Sequence, residues 1–239
     1  VIVRQEQPAD HRATEEVVRD AFWNLYAAGA VEHFIVHRVR SDPSFIPELD
    51  LVAEDDGRIV GHVMCERGQV VADDGTRHEV LTLGPLCAAR THQRNGIGTT
   101  LIETALRIAT DLGFRAVMVL GDGDYYSRHG FAPAERYGIH LDGWYLDALQ
   151  ARELVPGALN GVSGRYVDAL LPLVDAEALA AFDAAFPSRS LPTRADRTRY
   201  ADDLAKHEAA RRPARPDEGT GTGTGTGEHQ PAAVPDDGH

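Results

Sequence analysis

Several ingredients are scarce in this sequence, and each scarcity excludes something. Only two cysteines occur, Cys65 and Cys87, so no disulfide framework is implied and a reducing compartment is the default. No apolar stretch approaches the roughly 20 residues that a membrane helix needs. Val1 to Asp10 carries charges and no long apolar run, unlike a signal peptide, so a cytoplasmic protein away from the membrane is expected. Basic residues are few: 24 Lys and Arg stand against 37 Asp and Glu, a net charge of -13. That balance lacks the basic footprint of a phosphate-backbone binder, and no nucleic-acid partner is expected. It favours solubility and, weakly, the attraction of cationic substrates. Lys206 is the only lysine, which reads as the codon bias of a GC-rich genome. Eleven histidines are present, but no His-Glu-x-x-His or Cys-x-x-Cys pattern gathers them, so no metal site is expected.

What is present fits one globular domain with an appendage. The 239 residues are 43% hydrophobic and 26% charged, enough for one sizeable core. Val1 to Val3 is a short strand candidate. Asp10 can cap a helix whose apolar face runs through Ala13, Val17, Ala21 and Leu25, and a second helix is expected from about Val31 to Arg40. The period then changes. Asp55-Asp56-Gly57 and Asp73-Asp74-Gly75 sit between apolar runs as hairpin signals, so three antiparallel strands are expected through Ala88. A long amphipathic helix follows, with Ile97, Leu101, Ala105, Ile108 and Leu112 on its apolar positions and Gly113 beyond its end. Ala116 to Leu120 reads as a buried strand, parallel to the one at Leu81 through a helical crossover. A short helix at Tyr125 to Arg128 and strands from Phe131 and from Tyr145 to Leu154 complete the order. Asp168 to Phe186 is rich in alanine and leucine and reads as helical. From about Arg211 the composition collapses to Pro, Gly, Thr, Asp and Glu, with a Gly-Thr repeat that has nothing to bury.

The strongest local signal is Gln93-Arg94-Asn95-Gly96-Ile97-Gly98, between a strand and a helix. Free N–H groups at a helix start, glycines that admit close approach and an added arginine suit a pyrophosphate. An ordinary strand-to-helix turn has the same spacing. A Walker loop is ruled out by the missing Gly-Lys-Ser/Thr ending. A dinucleotide fingerprint is ruled out by the missing third glycine and the preceding hairpins. Cys87 and His92 are close in sequence but lack a third supporting residue, so covalent catalysis is not expected.

These motifs together resemble the GNAT N-acetyltransferase superfamily, and one bacterial branch of it. Gln93-x-x-Gly96-x-Gly98 looks like its cofactor loop. Leu83 to Ala88 resembles the preceding strand, and Val119 to Asp122 with Tyr125 to Phe131 the next block. Leu149 to Gly164 is similar to the branch's C-terminal signature. The resemblance covers residues 1 to about 165. It implies an α+β fold: a mixed, mostly antiparallel sheet flanked by helices, with splayed central strands. A helical extension at 166–205 and a disordered tail at 206–239 would then follow. It implies acetyl-CoA as cosubstrate, held by the backbone of Leu86, Cys87 and Ala88 and by Gln93, Arg94, Asn95, Gly96, Ile97, Gly98 and Thr99. The bulge it implies agrees with Pro85, which cannot donate to a ladder.

The resemblance also makes Tyr126 the acid that protonates the leaving thiolate, a task a phenol of pKa about 10 can perform. Tyr125 is then a packing ring, although the two could be exchanged. Where some members carry a glutamate base, this chain has Thr82. Glu79, His78, His62, Glu66, Asp122 or a water chain remain as base. The expected activity is direct attack of a small-molecule or protein amine on acetyl-CoA in a ternary complex, by a monomer or homodimer. The rival is a non-catalytic acyl-CoA-binding module on the same fold. Phe22, Trp23, Tyr26 and Phe34 are either core residues or the lining of an acceptor pocket.

Overall fold

A computed structural model describes residues 1–26, 28–168, 174–190 and 211–214. The chain opens with β1 (Ile2–Gln5), which pairs antiparallel with β2 (Phe45–Asp55) across two intervening helices, α1 (His11–Phe22) and α2 (Glu32–Val39). Asp10 stands at the N-cap of α1 but makes no side-chain cap bond. Its carboxylate instead accepts from Arg4 at 2.6 Å and from the Gln7 N–H at 2.9 Å. A charged donor is the stronger competitor for that acceptor.

The two Asp-Gly hairpin signals are realised. Asp56 and Gly57 take φ of 46° and 73°, the left-handed pair that a two-residue turn requires, and β2 folds back as β3 (Arg58–Val71). Residues 72–76 close the second hairpin onto β4 (Arg77–Ala88). Then come α3 (Ile97–Asp111) and β5 (Ala116–Leu120), which lies parallel to β4 as the crossover demands. The α3 side chains Leu101, Ile102, Ala105 and Ala109 are buried against Leu51, Val63, Leu81 and Val117. Ile108 is only half-buried, and Leu112 lies at the helix end, 45% exposed. On the opposite face, Val18 of α1 and Val36 and Val39 of α2 cover Met64 and Cys87.

After α4 (Gly123–Ser127) the strands are shorter than the sequence suggests. They are β6 (Ala132–Pro133), β7 (Ile139–His140), β8 (Trp144–Tyr145) and β9 (Leu149–Glu153). The expected run from Tyr145 to Leu154 is broken by a turn in which the Leu149 N–H bonds the Leu146 carbonyl. An unexpected strand, β10 (Gly164–Val167), pairs with Gln69–Val71. At 14 residues, β3 is long enough for β2 and β10 to occupy successive stretches beside it.

Two expected boundaries shift. The domain edge placed at 165 falls inside β10. Within the stretch expected as a helical extension lies α5 (Ala176–Asp183), capped by Asp175, which accepts from the Ala178 N–H at 2.7 Å. Residues 169–173 and 191–210 lie outside the described residues, as does most of the expected tail. Within that tail, β11 (Arg212–Pro213) pairs with β8, and Arg212 donates to Asp147 at 2.9 Å.

Candidate active site

The cleft begins where two parallel strands part. Ladder pairs join β4 and β5 only at Leu81–Val117 and Thr82–Met118. Beyond them β5 follows β9, while β4 from Leu83 onward keeps β3 alone as its partner among the described strands. The register between β3 and β4 slips between Val63–Leu86 and Cys65–Leu83. One extra β4 residue is thus accommodated at Gly84-Pro85, where the peptide bond is cis. The bulge expected from Pro85 is present. The splay opens a cleft of about 560 Å³ between the free edge of β4 and the end of β5.

One end of this cleft meets the start of α3. Gly96 is the N-cap at φ 80° and Arg94 lies at φ 64°. The first intrahelical bond there runs from the Thr100 N–H to the Gly96 carbonyl, which leaves the preceding N–H groups at the positive end of a 15-residue helix. Gln93, Arg94 and Gly98 belong to the cleft wall. Arg94 is exposed and forms no ion pair among the described residues. A Cβ at Gly98 would lie 2.7 Å from the Tyr125 hydroxyl, so a side chain there must displace the end of that ring.

The far wall is α4. Asp122 caps it, accepting from the Asp124 N–H at 2.9 Å, and so fixes the turn that presents both tyrosines. Tyr126 packs edge-on against Phe131 and Tyr125 and is 8% exposed. A Cβ at residue 121 would lie 2.4 Å from its ring, so only glycine lets Tyr126 sit this close to β5. Burial pushes the Tyr126 phenol above its ordinary range. Tyr125 is half-buried and also raised by burial.

Of the residues expected from sequence to hold a cosubstrate, Leu86, Cys87, Ala88, Gln93, Arg94 and Gly98 line one cleft together with Tyr126. Asn95, Gly96, Ile97 and Thr99 do not line it. The Ile97 side chain points into the core at 3% exposure, so that residue offers only its backbone. Cys87 is buried, which pushes its thiol up to about 12. His92 bonds Thr91 and approaches Asp55 instead. No activated thiol is assembled.

The five named base candidates separate clearly. Glu79 pairs with Arg67 on an exposed surface. His78 lies at the far end of β4, and Asp122 is engaged as a cap. His62 is buried and bonds Asp50 at 2.8 Å. Around that pair, Arg40 donates to Glu6 at 3.0 and 2.8 Å and to Glu15 at 2.8 Å. Glu6, Asp50 and His62 could together offer a metal three ligands, but the Arg40 guanidinium already supplies the positive charge there. Burial and the neighbouring Asp50 push Glu6 up to about 8. Glu66 alone of the five is buried with neither carboxylate oxygen hydrogen-bonded.

Sequence reading missed the other half of the wall. Phe22 and Tyr26 were suspected, but Glu32 and Ile35 of α2 and Asp168 beyond β10 also line the cleft. The spacing of Glu32 and Ile35, one helical turn apart, was a usable signal.

The residues 15–131 match the Acetyltransferase (GNAT) family. The N-acetyltransferase YhbS of Escherichia coli strain K12 is 30% identical over 167 residues, covering 69% of this chain and 93% of YhbS. The chain belongs to the GNAT acetyltransferase family. Its fold matches the structure of Escherichia coli YhbS in complex with CoA, with a TM-score of 0.61 at 29% identity over 69% of this chain and 87% of that one. A GNAT acetyltransferase from Brucella melitensis in complex with acetyl-CoA superposes with a TM-score of 0.58 at 26% identity, over 71% and 96% of the two chains. The splayed mixed sheet is thus the GNAT fold that the motifs together imply. Among the described residues, no helix is long and apolar enough to cross a membrane.

Proposed function

We propose that this GNAT acetyltransferase moves an acetyl group from acetyl-CoA to an amine in the β4–β5 cleft. The observation that carries the reading is the splay of β4 from β5, opening directly beside the uncapped start of α3. The pyrophosphate sits on the backbone of residues 94–99, where N–H groups and the helix dipole favour an anion. Arg94 adds a charge at the mouth. The pantetheine arm lies along the free edge of β4 as a partner for its unpaired backbone groups, reaching Leu86, Cys87 and Ala88.

A neutral amine then attacks the thioester carbonyl. The N–C bond forms, and charge gathers on oxygen near the backbone N–H of Leu86 or Cys87. As the C–S bond breaks, Tyr126 gives its proton to the thiolate sulfur, and the proton that the nitrogen sheds on becoming an amide is carried by water back to the Tyr126 oxygen. Burial makes Tyr126 a weaker acid than a free phenol, and a thiolate leaving against the same buried ring is partly desolvated too, which raises its basicity. No covalent acyl-enzyme is needed, consistent with the inert Cys87. The acceptor is a small-molecule or protein amine.

The test is thermal. Acetyl-CoA binds only the native state and should raise Tm progressively with its concentration. Gly98→Val, if folded, should lose that rise. A full shift retained in the variant would move the cosubstrate elsewhere. A full shift in the wild type without transfer to any amine would indicate a binding module on the same fold.

A further inference from the structure

One wall of the cleft is backed from outside by a helix that lies past residue 131, where the family match ends. Phe22 of α1 and Glu32 and Ile35 of α2 line the cleft. At eight residues α2 is short, and its N-cap, Val31, makes no side-chain cap bond. Isolated helices under about 12 residues are marginal in water, so packing must supply the position of α2. One flank of α2 faces the cleft through Glu32 and Ile35. His33, Phe34 and His37 turn instead to α5, where their rings lie 5.4, 5.4 and 4.4 Å from the ring of Phe182. The next residue, Asp183, serves α1. Its carboxylate accepts from Arg19 at 2.6 and 3.0 Å, one turn before Phe22. The same carboxylate lies 3.0 Å from His33 Nε2, without the alignment of a hydrogen bond. Two adjacent residues of α5 thus hold the two helices that form this wall.

The flanks of α5 complete the backing. Val174 packs against the cluster that contains Val18, Ile35 and Val36. Phe186 closes the seam at the other end, with its ring 5.1 Å from that of His33. We propose that the segment from Val174 to Phe186 belongs to the acceptor site, with Phe182 and Asp183 as positioning residues: by holding α2 and α1 they set the width of the acceptor side and so select the amine by size.

This inference rests on reading the cleft as the acetyl-transfer site. A fitted apolar wall discriminates between amines that differ by one methylene by roughly 10- to 200-fold, provided that the wall is held in place. A wall that rocks admits whatever enters, and the discrimination falls. The cosubstrate side of the cleft is built differently, from the edge of β4 and the start of α3, whereas the groups that Phe182 and Asp183 hold lie on α1 and α2. Loosening α5 therefore separates the two halves of the site: size selection is lost while acetyl-CoA keeps its place. A contact that merely stabilised the fold would affect every amine alike.

Phe182→Ala and Asp183→Ala test this on the whole protein in two ways. Nitroxides on cysteines substituted for Arg38 of α2 and Asp124 of α4, both exposed, read the width across the cleft by double electron–electron resonance. Cys65 and Cys87 are buried and escape the label. The parent should give one narrow distance distribution, and each variant should broaden it. Steady-state kinetics with methylamine, butylamine, cyclohexylamine and benzylamine then measure size selection. The spread of kcat/KM across these amines should shrink by about 10-fold in either variant, with acetyl-CoA bound as tightly as before. Asp183→Asn keeps the oxygen that accepts from Arg19 Nε and should lie between. The proposal is overturned if the distribution stays narrow in both variants, if it broadens while the spread is unchanged, or if acetyl-CoA binding is lost together with the spread. The distance is read without turnover. A distribution that broadens in the variants, while the wild type acetylates none of the amines, would therefore support the positioning of the wall and overturn the transfer reading instead.

Discussion

At the scale of single residues, the two adjacent tyrosines of α4 divide their work by depth. Tyr126 lies deeper, against Phe131, at 8% exposure, while the Tyr125 hydroxyl reaches toward Gly98. If Tyr126 is the acid, Tyr126→Phe should lower kcat by roughly 10²- to 10⁴-fold when chemistry limits turnover, with acetyl-CoA affinity nearly unchanged. Steady-state kinetics with a separate binding measurement check this, and a near-normal kcat would remove the assignment. Tyr125→Phe should be mild in the wild-type background. It should also relieve Gly98→Ala, because the atom that the added methyl meets is the hydroxyl itself. If the double variant binds acetyl-CoA no better than Gly98→Ala alone, backbone approach by the ligand, and not Tyr125, accounts for the glycine. The sequence shows the tyrosine pair but not their depths, which depend on Gly121 admitting the Tyr126 ring beside β5.

Among the elements, the most consequential addition is the docking of α5 on α1 and α2. Arg19 grips Asp183 through two bonds of 2.6 and 3.0 Å. Phe186 is buried at 6% exposure, with the Arg12 guanidinium 3.6 Å over its ring. Phe186→Ala should cost about 3 kcal/mol, in the range for an aromatic truncated in a core, measured by urea unfolding. An effect under about 0.5 kcal/mol, typical of surface changes, would mean that α5 is a loosely held appendage. Alanine and leucine enrichment makes this helix legible in the sequence, but its docking depends on distant partners such as Arg19, 164 positions from Asp183. The β2–β4 meander was legible because Asp-Gly turns fix both hairpins locally. β10 was not, because a four-residue strand gains its meaning only from the spare length of β3. The splay was half legible: Gly84-Pro85 announced a bulge, but the parting of β4 from β5 is a property of two strands joined through α3. Glu66 could not be singled out either, since in a strand buried on both faces alternation does not distinguish a core carboxyl from a solvated one.

For the whole molecule, buried acids make stability depend on pH with a definite sign. Glu66 is raised from 4.5 to about 10 in the folded state. Between those values the unfolded chain has lost the proton and the folded one keeps it, so stability falls as pH rises through that window. Below about pH 4.5 the contribution is fully present. Glu66→Gln removes this term, so the variant should gain stability over the wild type steadily from pH 5 to 9, and thermal melts across that range check it. A constant difference in Tm would mean that Glu66 is ionised in the folded protein. His33 acts in the opposite sense. Burial lowers it to about 4 against the pull of Asp183, so its contribution is lost as pH falls from about 6.5 toward 4. Acidification should therefore loosen the seam between α2 and α5, and His33→Gln should flatten the acid limb of the same curve. An unchanged acid limb would show that Asp183 keeps the ring protonated.

The whole molecule is also where the functional claim is decided. Acetyl-CoA labelled with ¹³C at the acetyl carbonyl, incubated with the protein and a panel of primary amines, lets NMR follow a single carbon. The account predicts that the label moves from thioester to amide in the presence of an acceptor amine, at a rate sharply reduced in Tyr126→Phe. Label that remains in the thioester with every amine, or appears only in free acetate, while acetyl-CoA still raises Tm, would contradict it.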